Sequence, residues 1–104
     1  MRVISLKPLH EFWQRYPDAE QPLRQWYKTA SLAEWNSLQD TRRDYPHADG
    51  VSSKPGETLT VFNIAGNKYR LVVEMQYRAG IAWVKFVGTH ATYDRINVEN
   101  VNEY

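Results

Sequence analysis

The feature that most constrains this chain is a change of apolar period partway along it. Up to Leu38 the large apolar residues recur at helical spacing, and from Leu59 onward they alternate. Leu59 to Ile64, Tyr69 to Tyr77 and Ile81 to Val87 are β-branched and aromatic runs, separated by Ala65-Gly66-Asn67-Lys68 and Arg78-Ala79-Gly80. Connections this short, each with a glycine, suit hairpins, so the second half reads as an antiparallel meander.

The first half reads as helices. Leu6, Leu9, Trp13 and Tyr16 form one amphipathic face, with Ser5 as N-cap and Pro17 closing the segment. A second helix follows, with Asp18 as cap, Pro22 in its first turn and a stripe of Leu23, Trp26, Tyr27 and Ala30. Ser31-Leu32-Ala33-Glu34 has the capping-box pattern and predicts a third short helix with Trp35 and Leu38 inward. The tryptophans are expected in the core. Asp40 to Thr58 is polar, with Pro46, Gly50, Pro55 and Gly56, and reads as a long loop carrying Arg42, Arg43, His47 and Lys54. Loops of that length in small domains often line sites. A helical turn at Ala91 to Ile96 and a polar tail end the chain. Helices followed by antiparallel strands predict an α+β fold, with the helices packed on one face of a small antiparallel sheet and the other face partly open. No repeat or linker divides the sequence, so residues 1–104 are expected to form a single domain.

Composition narrows the class of function. With no cysteine, disulfides and thiolate metal sites are excluded. No apolar run reaches membrane-spanning length and the first residues do not form a signal peptide, so a cytoplasmic protein without membrane contact is expected. The net charge of +1 does not itself indicate a nucleic-acid binder. Its distribution is uneven, however: from Lys54 to Arg95 six bases face three acids, whereas the first fifty residues carry seven of each. Basic charge is thus concentrated in the strand-rich half, as either a nucleic-acid surface or a solvated sheet face would have it.

Two motifs bracket the meander. Phe62-Asn63-Ile64-Ala65-Gly66-Asn67-Lys68-Tyr69-Arg70-Leu71 and Gly88-Thr89-His90-Ala91-Thr92-Tyr93-Asp94 resemble the HigB family of bacterial toxin-antitoxin systems. The likeness extends to Leu6–Pro17, Trp26, the Ala33-x-Trp35 pair and Asp44–Val51, so it covers nearly the whole chain. The resemblance implies a RelE/ParE-like fold whose sheet presents a concave face to its target. It further implies an mRNA interferase acting on messenger RNA in the ribosome, without a cofactor, and silenced by a HigA-type helix-turn-helix antitoxin.

RNA cleavage by 2′-hydroxyl attack needs a base, an acid for the leaving 5′-oxygen, and donors for charge developing on the phosphate. The resemblance singles out His90, Tyr93 and Arg70 as catalytic. His90 and Tyr93 are three apart, which a helical turn would place on one side, with Asp94 near enough to orient the imidazole. Arg70 and Lys68 alternate on one strand face, and a guanidinium can bond two phosphate oxygens at once. Lys68, Lys85, Lys54 and Asn67 are the candidate RNA contacts, and Asn63 joins Asp94 in a supporting role. His47 is a further candidate. Each has a plainer reading: Arg70 paired with Glu74 or Asp94, Lys68 as a solubilising turn residue, Asn63, Gly66 and Asn67 as turn-formers, and His90 as a surface histidine. The three histidines lie far apart with no carboxylates at ligand spacing, so no metal site is expected. No nucleophile elbow or glycine-rich phosphate loop occurs. Two rival functions stay open: a RelE/ParE-like poison that is not a nuclease, and a binding module that presents Arg78, Lys85 and aromatics on the open face.

Overall fold

The computed structural model describes residues 1–51 and 58–96. In chain order these form β1 (Arg2–Ile4), α1 (Lys7–Arg15), a 3-10 turn (Pro17–Ala19), α2 (Glu20–Leu32), α3 (Leu38–Asp44), β2 (Asp49–Val51), β3 (Leu59–Ile64), β4 (Tyr69–Gln76), β5 (Ile81–Thr89) and α4 (His90–Arg95). The described strands make one sheet in the order β1-β5-β4-β3-β2. The expected α+β architecture is present, and the meander of β3, β4 and β5 falls where the alternating pattern put it. Its first hairpin turns through positive φ at Ala65 (54°) and Gly66 (67°), so the left-handed pair sits one residue earlier than Asn67.

Five expectations about local structure were wrong. The sheet is mixed, because β1 pairs in parallel with β5, Arg2 against Ile81 through Ile4 against Trp83. Three residues are too few to show a period, so the sequence left this strand unseen. Ser5 does not cap α1: it turns the chain at φ 67°, and its hydroxyl accepts from Trp83 Nε1 at 3.0 Å. The Ser31–Glu34 box starts no helix. α2 runs on through Leu32, and α3 begins later with Ser37 as cap, its side chain accepting from the Asp40 amide. Asp18 is not a cap either, since it lies in the 3-10 turn and accepts from Lys68 Nζ at 2.5 Å and from the Tyr69 hydroxyl. The polar stretch from Asp40 is not all loop, because it includes most of α3 and the edge strand β2.

The two sheet faces differ. On one, Trp26 (0% exposed) meets Phe62 edge-on at 5.5 Å, within a core of Leu9, Leu23, Leu71, Val73 and Val84 that joins helices to sheet. Trp13 and Trp35 are buried there too, as expected. On the other face a smaller cluster of Leu59, Val61 and Val72 packs with Val51, Phe86 and Tyr93. A bulge in β5 helps divide these faces: Val72 pairs with Phe86 and Val73 with Val84, so Lys85 is the extra residue. Val84 and Val87 consequently both reach the helix-side core.

Candidate functional site

On the face away from the helices, three strands bring three functional positions into one row. Asn63 of β3 pairs with Arg70 of β4, which pairs in turn with Gly88 of β5. The two ends of the meander are thus side by side in space, although eighteen residues separate Arg70 from Gly88. Immediately after β5 the chain turns into α4. Thr89 caps that helix, its hydroxyl accepting from the Thr92 amide at 3.1 Å, and the His90 amide donates to the Lys68 carbonyl at 3.0 Å. The start of α4 is therefore tied to the β3–β4 turn, and Tyr93 packs over the sheet against Val61 and Val72.

Arg70, Tyr93 and Asn63 line one open cleft of about 560 Å³ together with His47, Asp49 and Arg42. The pairing of Asp49 with Val61 sets the second half of this site, because it holds the chain just after His47 against β3. Arg42 Nε donates to the Ala48 carbonyl at 2.8 Å and fastens α3 to the same segment. Arg70 is not paired with Glu74 or Asp94. Its guanidinium makes three long bonds to neutral acceptors, the Asn67 and Tyr69 carbonyls and Asn67 Oδ1, at 3.3–3.4 Å. Among the described residues no carboxylate lies within ion-pair distance of it, so its charge is available to an anionic ligand. Burial raises the Tyr93 phenol above its ordinary value, and Asp49 adds to the effect while Arg70 opposes it.

The other sequence candidates fall at varying distance from this cleft. His90 is absent from its lining; the side chain is 45% exposed, and Nδ1 lies 3.0 Å from Asp94 Oδ2 one turn along α4. Lys68 does not stand beside Arg70: it turns to Asp18, lowering that carboxyl below its ordinary value chiefly through the hydrogen bond. The same carboxylate pushes the Tyr69 phenol up to about 12. Lys85 is not an exposed contact, being 8% exposed with Nζ 3.5 Å from Glu74 and 3.9 Å from the Trp83 ring centre. Lys54 lies outside the described residues. Asn67 holds the Arg70 side chain, and Asn63 is a strand residue of the cleft wall and no turn-former. Arg42, His47 and Asp49 join the cleft from the stretch expected to be a loop, of which only His47 was a site candidate from the sequence. The signal for His47 and Asp49 was the match of Asp44–Val51 to the family pattern, and for Arg42 only its place in a long polar stretch.

Helices that precede and back a five-stranded mixed sheet make an α+β fold consistent with a RelE-like protein. The HigB toxin family, described as the RelE-like toxic component of a toxin-antitoxin system, matches residues 19–96. The chain belongs to that family, and a toxin of such a system implies an antitoxin partner. An mRNA interferase HigB of Escherichia coli O6:H1 is 23% identical over 96 residues, which is 92% of this chain and 91% of that protein. Among the described residues no helix is long and apolar enough to cross a membrane.

Proposed function

We propose that this toxin is an endoribonuclease that cuts messenger RNA on the ribosome by 2′-hydroxyl attack, and that a HigA-type helix-turn-helix antitoxin silences it. The observation that carries the reading is the cleft in which Arg70, Tyr93, Asn63 and His47 converge. The relative named an mRNA interferase supports the same substrate.

In this reading the 2′-oxygen bonds to phosphorus, the phosphorus–O5′ bond breaks, and the products are a 2′,3′-cyclic phosphate and a 5′-hydroxyl. Arg70 binds the non-bridging oxygens as their charge grows, and this bonding is strongest in the transition state. Tyr93, kept protonated, gives its proton to the leaving 5′-oxygen. His47 takes the proton of the 2′-hydroxyl, because a base must lie within hydrogen-bond reach of the proton it removes. His90 is the competing base, favoured by the Asp94 carboxylate 3.0 Å from its Nδ1, which would orient the ring. A protein of net charge +1 has little grip on free RNA, so the ribosome would supply positioning.

The test is end-mapping of messenger RNA incubated with the purified protein in chelator, with and without ribosomes. Cyclic-phosphate ends that appear only with ribosomes are the expected result. Intact RNA under both conditions, with growth arrest retained in cells, would replace the nuclease by a poison acting through binding.

A further inference from the structure

A second cleft, of about 550 Å³, borders the first across the start of α4. The helix contributes Tyr93 to one and Thr92 to the other. The outer wall of the second cleft is α1, through Glu11 and Arg15, and its inner wall is β5 from Phe86 to Thr89. Phe86 has an unusual seat. A Cβ built on Gly88 would lie 2.5 Å from Phe86 Cζ, so the ring is folded down over the glycine and occupies the space a side chain would need. Gly88 is the direct partner of Arg70 in the sheet. The ring therefore covers the residue whose backbone lies one strand spacing, roughly 5 Å, from that of Arg70. Glu11 and Arg15 are exposed, and neither forms an ion pair among the described residues.

We propose that this cleft holds the base of a nucleotide flanking the phosphate at Arg70, with the Phe86 ring as its stacking platform and Glu11 and Arg15 reading its edge. This rests on the ribonuclease reading above and adds a specificity site to it. A base and its phosphate are joined through a single sugar, so a phosphate bound at Arg70 brings a neighbouring base within reach of Phe86. Glu11 can only accept hydrogen bonds and Arg15 can only donate. Together they match a base edge that sets a donor beside an acceptor, whether the exocyclic amine and ring nitrogen of adenine and cytosine or the ring N–H and carbonyl of guanine and uracil. The placement of donor and acceptor differs from base to base, so the cleft reads the base at one position beside the cut. A peptide strand is the less suitable occupant, because an aromatic face with paired acceptor and donor groups addresses a flat heterocycle.

The experiment is end-mapping of ribosome-bound messenger RNA cut by the wild type and by Phe86→Leu, Gly88→Ala and Glu11→Gln. Loss of one base stack corresponds to roughly a 5- to 150-fold fall in cutting. Phe86→Leu should show that fall, and Gly88→Ala should reproduce it by displacing the ring while Phe86 itself is kept. Glu11→Gln, on an exposed helix face that does not threaten folding, should change the base preference at a single position, because an amide donates as well as accepts. A purely structural fault would lower cutting at every site alike and leave the base bias intact. Unaltered bias in all three variants, with cutting by the wild type, would overturn the base subsite alone. No cutting by the wild type would overturn the nuclease reading first. Unaltered bias combined with escape from antitoxin inhibition would make the cleft a protein-docking groove, and would likewise overturn the proposal.

Discussion

Replacing Arg70 by alanine should separate catalysis from folding more sharply than any other change in this protein. The side chain is half-buried and its bonds to the Asn67 and Tyr69 carbonyls and to Asn67 Oδ1 are long, at 3.3–3.4 Å. Intramolecular hydrogen bonds contribute about 0.5–1.5 kcal/mol each at good geometry, and bonds this stretched fall at or below the lower end. A total loss of about 1 kcal/mol follows, which for a domain near this size lowers the melting temperature by roughly 4–8 °C. No buried carboxylate is stranded, so the larger penalty of breaking a buried ion pair does not arise. The effect on rate should be far larger, since removing one donor to a developing anion costs about 10²- to 10³-fold. Arg70→Lys should recover part of it, because charge is retained and the two-pronged geometry is lost. The assay is quantitative end-mapping of cut transcripts beside a circular-dichroism melt of each variant. A folded Arg70→Ala protein that cuts at the wild-type rate would refute the assignment and make the arginine a structural neighbour of Asn67.

Further outcomes follow from the same structure. His47→Ala and His90→Ala, compared in the same cutting assay, should differ, with the larger loss of roughly 10²- to 10⁴-fold at His47; the reverse order would move the base to the His90–Asp94 pair. Lys85→Ala should lower the thermal midpoint more than Lys85→Met, because both strand Glu74 but only alanine also removes the packing over Trp83; equal midpoints would show that the stem contributes nothing. The Asp18 carboxyl lies below its ordinary 3.8 when folded, so the stability it contributes is present above that value and is lost as pH falls through the lower, folded one. Asp18→Asn should therefore flatten the acid limb of a denaturation-against-pH curve, and an unchanged limb would mean that the Lys68 contact is idle in solution. For Tyr69 the sign is opposite: its phenol is raised to about 12, so stability is lost as pH rises from the ordinary 10.0 toward that value, and Tyr69→Phe should remove this alkaline loss.

What the sequence made legible was whatever has a period. Six to nine residues of alternation are enough to fix β3, β4 and β5, and the stripe through Leu23, Trp26 and Ala30 fixes α2. β1 and β2 have three residues each, and nothing local distinguishes them from coil. They are strands because neighbours offer a free edge, which is a tertiary fact. The false capping box at Ser31 failed for a related reason: a serine and a glutamate three apart satisfy each other only if the chain has already left the preceding helix, and α2 had not ended. Among site residues, Arg70 and Tyr93 were found through the family pattern and lie together. The pairing of Lys68 and Lys85 was not legible, because charge in a sequence does not say which acids it will meet, and Asp18 and Glu74 lie fifty and eleven residues away.

That same difference between local and tertiary information explains how the site is assembled. Arg70 and Asn63 face each other because one hairpin sets their register. Gly88 joins them because the second hairpin sets the next, and the bulge at Lys85 lies before Gly88, so the register it shifts is the one that places Arg70 opposite a glycine. Tyr93 reaches the row through α4, whose first amide is bonded to the Lys68 carbonyl of the first hairpin turn. His47 arrives independently, carried by the pairing of β2 with β3. Arg70 and Tyr93 are thus fixed by the most local and most strongly patterned part of the chain, while His47 is carried by a three-residue edge strand. On the proposed reading, the phosphate ligand is therefore set by two long hairpin registers and the base by three residue pairs, so shortening β2 should cost cutting before it costs folding.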